Sequence, residues 1–118
     1  MSEVELNDRF APTESERRER RQKLAQTLAK GGMDGVHIIS YETAREVLTP
    51  RRIELMRAIR EEEPESVREL ARLVDRDPGR ISRELETLAS HGIVTFEQEG
   101  RNKRPILTHD HIVPEPVF

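Results

Sequence analysis

The sequence predicts a mainly α fold with a small β-hairpin, α+β in class: a winged helix-turn-helix with an N-terminal helical extension and an extended C-terminal strand. Three observations carry that expectation. Two helix starts share one pattern, a capping residue followed by proline, at Thr49-Pro50 and Asp77-Pro78. Between them Ser66 and Glu69 stand three apart ahead of a short amphipathic run, a capping-box spacing. Beyond Gly92 the apolar period turns strand-like in IVTFEQE, and a GRNKR loop leads into PILT.

Length and composition set the outer limits. The chain has 118 residues, which suits one small domain with extensions, and a domain this size hides so little surface that dimerisation would help it. It has no cysteine, so neither a disulfide framework nor a thiolate metal site is available. No charged-then-apolar leader and no apolar run of about 18 residues occurs, so a soluble cytoplasmic protein without membrane contact is expected. Twenty basic residues face 23 acidic ones for a net charge of −3, which removes the argument from a globally basic chain. Any case for nucleic acid must therefore be local.

Residues 1–12, ending in Pro12, read as a flexible arm. Residues 13–48 read as a charged helix, a short strand and a short lead-in helix. The helix opens with Thr13 and Glu16 in capping-box spacing, closes at Gly31-Gly32, and carries six basic against three acidic residues over 14–30. Such a charge run is ordinarily a solvated, salt-bridged face, and a phosphate-contacting or dimer-forming arm is the alternative. VHIIS, 36–40, is the strand, and YETAREVL gathers Ala44, Val47 and Leu48 on one side of the lead-in helix.

Residues 49–108 form the expected winged helix-turn-helix. Its first helix, RRIELMRAIREEE, places Ile53, Leu55, Met56 and Ile59 in one stripe, and Pro64 stops it. The second is VRELARLV. In the third, GRISRELETLASHG, Ile81, Leu85 and Leu88 cluster within about 40° of one direction, while Gly79, Ser82, Arg83, Glu86 and Thr87 face away. Gly92 is placed to take the left-handed conformation beyond its end. Residues 109–118 form an extended tail whose Pro114 and Pro116 suit a sheet edge or a partner surface.

A helix that buries one edge and frees the other can lie in a major groove about 12 Å wide. Arg80 and Arg83 can reach phosphate or guanine, Ser82 can donate to either, Gly79 permits close approach, and Glu86 would restrict the sequences tolerated. The loop Gly100-Arg101-Asn102-Lys103-Arg104 puts three cations on a flexible tip, suited to a neighbouring backbone or minor groove. Six basic residues against five acidic over 76–104 leave little net charge, but the cations fall at the two expected contact points. Arg51, Arg52 and Arg57 read as solvated partners of Glu54 and Glu61.

LTPRRIELMRAI (48–59) and SVRELARLVDRDPGRISRELETLASHGIV (66–94) together resemble the archaeal, largely haloarchaeal, MarR-like winged helix-turn-helix regulators. HIISYETAREVL and the charged helix before it are similar to that family's leader, so the resemblance runs from about Ser15 to the end. It implies DNA contacts from Pro78, Gly79, Arg80, Ser82 and Arg83, with Ile81 turned inward. The chain departs from larger MarR proteins in lacking their long C-terminal dimerisation helix and in having Asp75-Arg76 where a glycine is commoner. The first leaves the dimer mode open, and the second suggests a strained or altered turn.

These features point to a homodimeric, sequence-specific duplex-DNA-binding regulator of transcription, with Arg101, Asn102, Lys103 and Arg104 on the flanking backbone. The alternative is a protein-interaction module or antitoxin-like subunit with a protein partner. No catalytic motif occurs, and neither an enzyme nor a cofactor is expected. His109-Asp110-His111 offers only two good ligands and reads as surface, so no metal is expected, and His37 and His91 lack ligand-spaced neighbours. Tyr41 and Phe96 are too few, and expected to be too buried, to stack bases. A preformed ligand cavity of about 300 Å³ is not expected in so short a chain.

Overall fold

The structure, a computed structural model, describes residues 10–117, so most of the expected arm at 1–12 lies outside the described residues. The elements run α1 (Glu14–Lys30), β1 (Val36–Ile39), α2 (Tyr41–Val47), α3 (Pro50–Glu62), α4 (Val67–Leu73), α5 (Pro78–Ser90), β2 (Val94–Glu99), β3 (Asn102–Leu107) and β4 (His111–Pro114). This is the α+β winged helix-turn-helix arrangement the sequence predicts: three helices, α3 to α5, followed by the antiparallel β2–β3 hairpin. The tail finds its edge inside the molecule. β4 pairs in parallel with β1, with Val36 opposite His111 and Ile39 opposite Pro114.

Each helix starts where a side-chain oxygen meets an otherwise free amide. Thr13, Ser40, Thr49, Ser66 and Asp77 accept from the amides of Glu16, Thr43, Arg52, Glu69 and Arg80, and prolines hold the first positions of α3 and α5. The box at Thr13 and Glu16 is reciprocal. At α4 only half of the expected box forms, because the Glu69 carboxylate accepts from the Glu65 amide at 3.0 Å rather than from Ser66.

The ends repeat one device. After α1, α4 and α5 the chain closes with a paired set of backbone bonds from the next residues onto the last turn: Met33 to Leu28 and Gly32 to Ala29, Arg76 to Ala71 and Asp75 to Arg72, Ile93 to Leu88 and Gly92 to Ala89. This closure needs a left-handed residue. Gly92 supplies it at φ 72, but between α4 and α5 the position is filled by Asp75 at φ 53. The helix-turn-helix corner therefore closes as the ends of α1 and α5 do, and the departure appears as an L-residue in a region that costs about 1 kcal/mol or more.

Leu55, Leu70, Ile81, Leu85, Leu88 and Ile93 are fully buried at the centre of the core, joined by the buried Val47 of α2 and Val94 of β2. Ile112 of β4 packs against the same cluster, so the lead-in helix and the tail both brace the winged domain. Arg76 follows the corner with its side chain only 9% exposed. It donates to Glu84 at 3.2 Å and to the Arg51 carbonyl at 3.2 Å, and lies 3.8 Å from Glu54. It thus links α3 to α5 and is not one of the free cations of the 76–104 segment.

A second tether joins the two ends of the described chain. Glu115, just beyond β4, is buried and accepts from Arg17, from Arg21 at 3.0 Å and from the Tyr41 amide at 3.2 Å, while its own amide donates to Ile39. Arg17 also pairs with Glu42 and lies 4.7 Å from the centre of the Tyr41 ring. Tyr41 is exposed at its rim, not buried as expected. Burial pushes the Glu115 carboxyl up, but the bonds from Arg17, the Tyr41 amide and Arg21 outweigh it and hold the group below its ordinary value.

Asp75→Gly is expected to raise unfolding free energy by about 0.5–1 kcal/mol and Asp75→Val to lower it by about 1–2 kcal/mol, read by urea denaturation. Because the Glu115 pKa is depressed on folding, its contribution is complete above the ordinary value of 4.5 and is lost as pH falls through the folded value. Glu115→Gln should cost about 1–3 kcal/mol at neutral pH and flatten the acid limb of stability against pH, measured by thermal melts in a pH series.

Candidate nucleic-acid interface

The amphipathic split of α5 decides what the helix can offer. Ile81, Leu85 and Leu88 are sealed against the core, which turns Arg83 and Glu86 fully outward and leaves Ser82 and Thr87 half-buried at the edges. Pro78, Gly79 and Arg80 form the exposed first turn. Gly79 is also confined from within, since a Cβ there would stand 3.1 Å from the Asp77 carboxylate that caps the helix. Among the described residues neither Arg80 nor Arg83 makes an ion pair. Glu84, which follows Arg83 in sequence, is turned back to Arg76 at 3.2 Å.

An open groove of about 280 Å³ lies between the first turn of α3 and this face of α5, lined by Arg51, Arg52, Arg80, Arg83, Glu84 and Thr87. Among the described residues the expected pairing of Arg51, Arg52 and Arg57 with Glu54 and Glu61 does not form. Arg52 instead donates to the Val47 carbonyl at 3.1 Å and toward that of Glu46, closing the end of α2, while Glu54 lies against Arg76. The sequence signal was present but easily passed over. Arg51 and Arg52 stand in the first turn of a helix, where the macrodipole disfavours cations, so the reason for them had to lie outside their own helix.

The wing is shorter and stiffer than the loop expected from the sequence. Only Gly100 and Arg101 form its turn, and Asn102, Lys103 and Arg104 belong to β3, opposite Glu99, Gln98 and Glu97. Gly100 at φ 60 gives the first loop position the positive φ that a two-residue hairpin turn of type II′ requires. Lys103 lies 5.5 Å from the centre of the half-buried Phe96 ring, so its ammonium is drawn along the hairpin rather than left on a flexible tip. Arg101, Asn102 and Lys103 are exposed and Arg104 is half-buried. The contact residues expected on α5 thus sit on that helix, and those expected on the wing sit on β3 except Arg101, which is in the turn.

The HVO_A0114 family profile matches residues 47–113, more than half of the chain, from the last residue of α2 through nearly all of β4. The chain belongs to the HVO_A0114 family. No curated protein matches it. The matched span contains α5, the wing and the four-arginine groove, and excludes α1, so the HVO_A0114 region and the helix-turn-helix with its bracing strand largely coincide.

Outside that region, the basic helix divides its cations between two tasks. Arg17 and Arg21 are spent on Glu115, Glu42 and Glu14, whereas Arg18, Arg20 and Lys23 are exposed, Lys23 lying 3.8 Å from Glu19. A cleft of about 440 Å³, wider than expected for so short a chain, opens beside this helix between Phe10, Arg20, Tyr41 and Val117.

His37, which has no ligand-spaced neighbour in sequence, meets another histidine in space. Its ring centre lies 4.6 Å from that of His109, which sits in the bend between β3 and β4 rather than on a strand with His111. The His37 Nδ1 atom is buried without a partner, and burial, with the neighbouring His109, pushes its pKa below the ordinary 6.5. Among the described residues no group of three or more His, Asp or Glu is placed to hold a metal ion, and no helix is long and apolar enough to cross a membrane.

A histidine whose pKa falls on folding lends stability that is complete above 6.5 and is lost as pH drops toward the folded value, because the unfolded chain takes the proton first. Stability of the parent should therefore decline just below pH 6.5, well before the carboxylate region. His37→Gln should remove that decline in a series of thermal melts between pH 7 and pH 5.

Proposed function

We propose that this HVO_A0114-family protein is a homodimeric, sequence-specific double-stranded DNA-binding regulator of transcription, MarR-like in its use of a winged helix-turn-helix. The observation that carries the reading is the outward face of α5: Arg80 and Arg83 are exposed and free of ion pairs among the described residues, beside Ser82 and the small Gly79. In a chain with 23 acidic residues, unpaired cations on one helix edge call for an external anion. The face fits a major groove, with Arg80, Ser82 and Arg83 toward base edges and phosphates and Pro78 and Gly79 permitting close approach. Arg101, Asn102, Lys103 and Arg104 serve a flanking backbone or minor groove.

The shape supports a dimer. The radius of gyration is 17.1 Å, against about 13–14 Å for a compact domain of this length, and the molecule is only 21 Å thick. The 17-residue α1, which buries no residue completely, accounts for part of that excess and offers surface to a second copy. Two recognition helices related by a two-fold axis would read half-sites about one helical turn apart.

The second reading, a protein-interaction module or antitoxin-like subunit, draws on the net charge of −3 and on Arg17, Arg21, Arg52 and Arg76 being taken up internally. Retention of duplex DNA against random competitor at moderate salt separates the two.

In gel-shift titrations, Arg83→Ala should weaken binding of a selected duplex by about 1–3 kcal/mol, roughly 5- to 150-fold, and relax sequence choice at one position. Lys103→Ala and Arg101→Ala should weaken all sequences alike and flatten the salt dependence. Parent-like binding by all three variants would sink the assignment of this face to DNA.

A further inference from the structure

We infer that the groove between α3 and α5 is a phosphate site in which Arg51, contributed from outside the recognition helix, closes with Arg80 and Arg83 on one backbone phosphate. This rests on the duplex-binding reading above but adds a ligand and a residue to it.

Five other arginines of the fold are engaged within the molecule. Arg17 and Arg21 hold Glu115, Arg76 holds Glu84, Arg52 closes α2, and Arg60 donates to the backbone carbonyls of His109 and Asp110. Carboxylates are abundant, so a guanidinium lacking one is not short of candidates. Arg51, Arg80 and Arg83 nevertheless share a single groove of about 280 Å³, and none makes an ion pair among the described residues. The groove's one carboxylate, Glu84, is committed to Arg76.

Gathering like charges is unfavourable, and the positive end of α3, whose first turn contains no acidic residue, makes it more so, while the Asp77 cap offsets part of the positive end of α5. An anion entering the groove reverses the sign of each of these terms at once. A phosphate matches the donors best: arginines from two different helices line the groove and can share its oxygens, whereas a carboxylate presents one edge in one plane. Thr87 lines the groove as well, its hydroxyl donating to the Arg83 carbonyl at 3.3 Å.

The position of Arg51 gives the site its role. It belongs to the first helix of the trihelical core, so it can grip the backbone beside the major groove without reading a base. Arg76 donates to the Arg51 carbonyl from the helix-turn-helix corner, which fixes this turn of α3 relative to α5. A phosphate held there would set the depth and angle at which Arg83 meets base edges.

The test uses the full-length protein. Titration with inorganic pyrophosphate, followed on arginine Nε–Hε NMR signals, should move Arg51, Arg80 and Arg83 together and leave Arg57, which lies on α3 toward other grooves, unmoved. Arg51→Ala should weaken pyrophosphate binding by threefold or more. On duplexes, Arg51→Ala should lower affinity equally for selected and random sequences and reduce the salt slope by about 1, with Arg57→Ala unchanged. Arg51→Lys should restore the salt slope but only part of the affinity, because it supplies charge without the fork.

The inference is overturned if pyrophosphate moves Arg57 as much as Arg51. It is equally overturned if Arg51→Ala matches the parent on a duplex the parent binds, or loses affinity for the selected sequence alone. Pyrophosphate shifts at the three arginines in a parent that ignores duplex DNA would uphold the phosphate site and reject the duplex reading.

Discussion

The aliphatic edge of α5 is the constraint on which the other features turn. Ile81, Leu85 and Leu88 are each fully buried, and each is worth about 1.5–3 kcal/mol of apolar burial. Rotating the helix to bury another edge would forfeit that and place Arg83 and Glu86 in the core, where unpaired charge is far costlier. The outward direction of Arg83, and the framing of the groove shared with Arg51, follow from this one packing decision. Whatever the molecule binds on that face, it binds because three aliphatic side chains leave the polar edge nowhere else to go.

Two charged tethers keep that helix in register with its surroundings, and both use arginine because its planar fork can serve several acceptors at once. Arg76 reaches from the corner to Glu84 on α5 and to the Arg51 carbonyl on α3, so the angle between those helices is held by hydrogen bonds as well as by packing. Arg17 and Arg21 meet at Glu115, beyond β4, and so join the N-terminal helix to the C-terminal segment. The first tether shapes the groove. The second keeps β4 against β1, and β4 brings Ile112 to the core.

Much of this was legible locally. The caps at Thr13, Thr49, Ser66 and Asp77, the stop at Gly92, and the buried edge of α5 are short-range patterns, each decided by a few neighbouring residues and a fixed helical period. The wing was legible as a hairpin but not in its register: GRNKR looks like a five-residue loop, yet cross-strand pairing draws Asn102, Lys103 and Arg104 into β3 and leaves two residues to turn. Asp75 was visible as an unusual corner residue. Its φ of 53 shows that an L-residue takes the left-handed position here that Gly92 takes after α5.

What the sequence alone determined, then, is the order and identity of the helices, the hairpin, and which edge of α5 is aliphatic, because hydrophobic period, capping chemistry and glycine conformation act over a turn or less. What only the tertiary structure decided is the partnership of charges: that Arg17 and Arg21 belong to a carboxylate some 90 residues away, that Arg76 is internal, that His37 rests against His109, and that Arg51 shares a groove with Arg80 and Arg83. A guanidinium reaches several ångströms in any direction and pairs as well with a distant acid as with a near one. Its role is therefore set by which surfaces the core brings together, which no local pattern encodes.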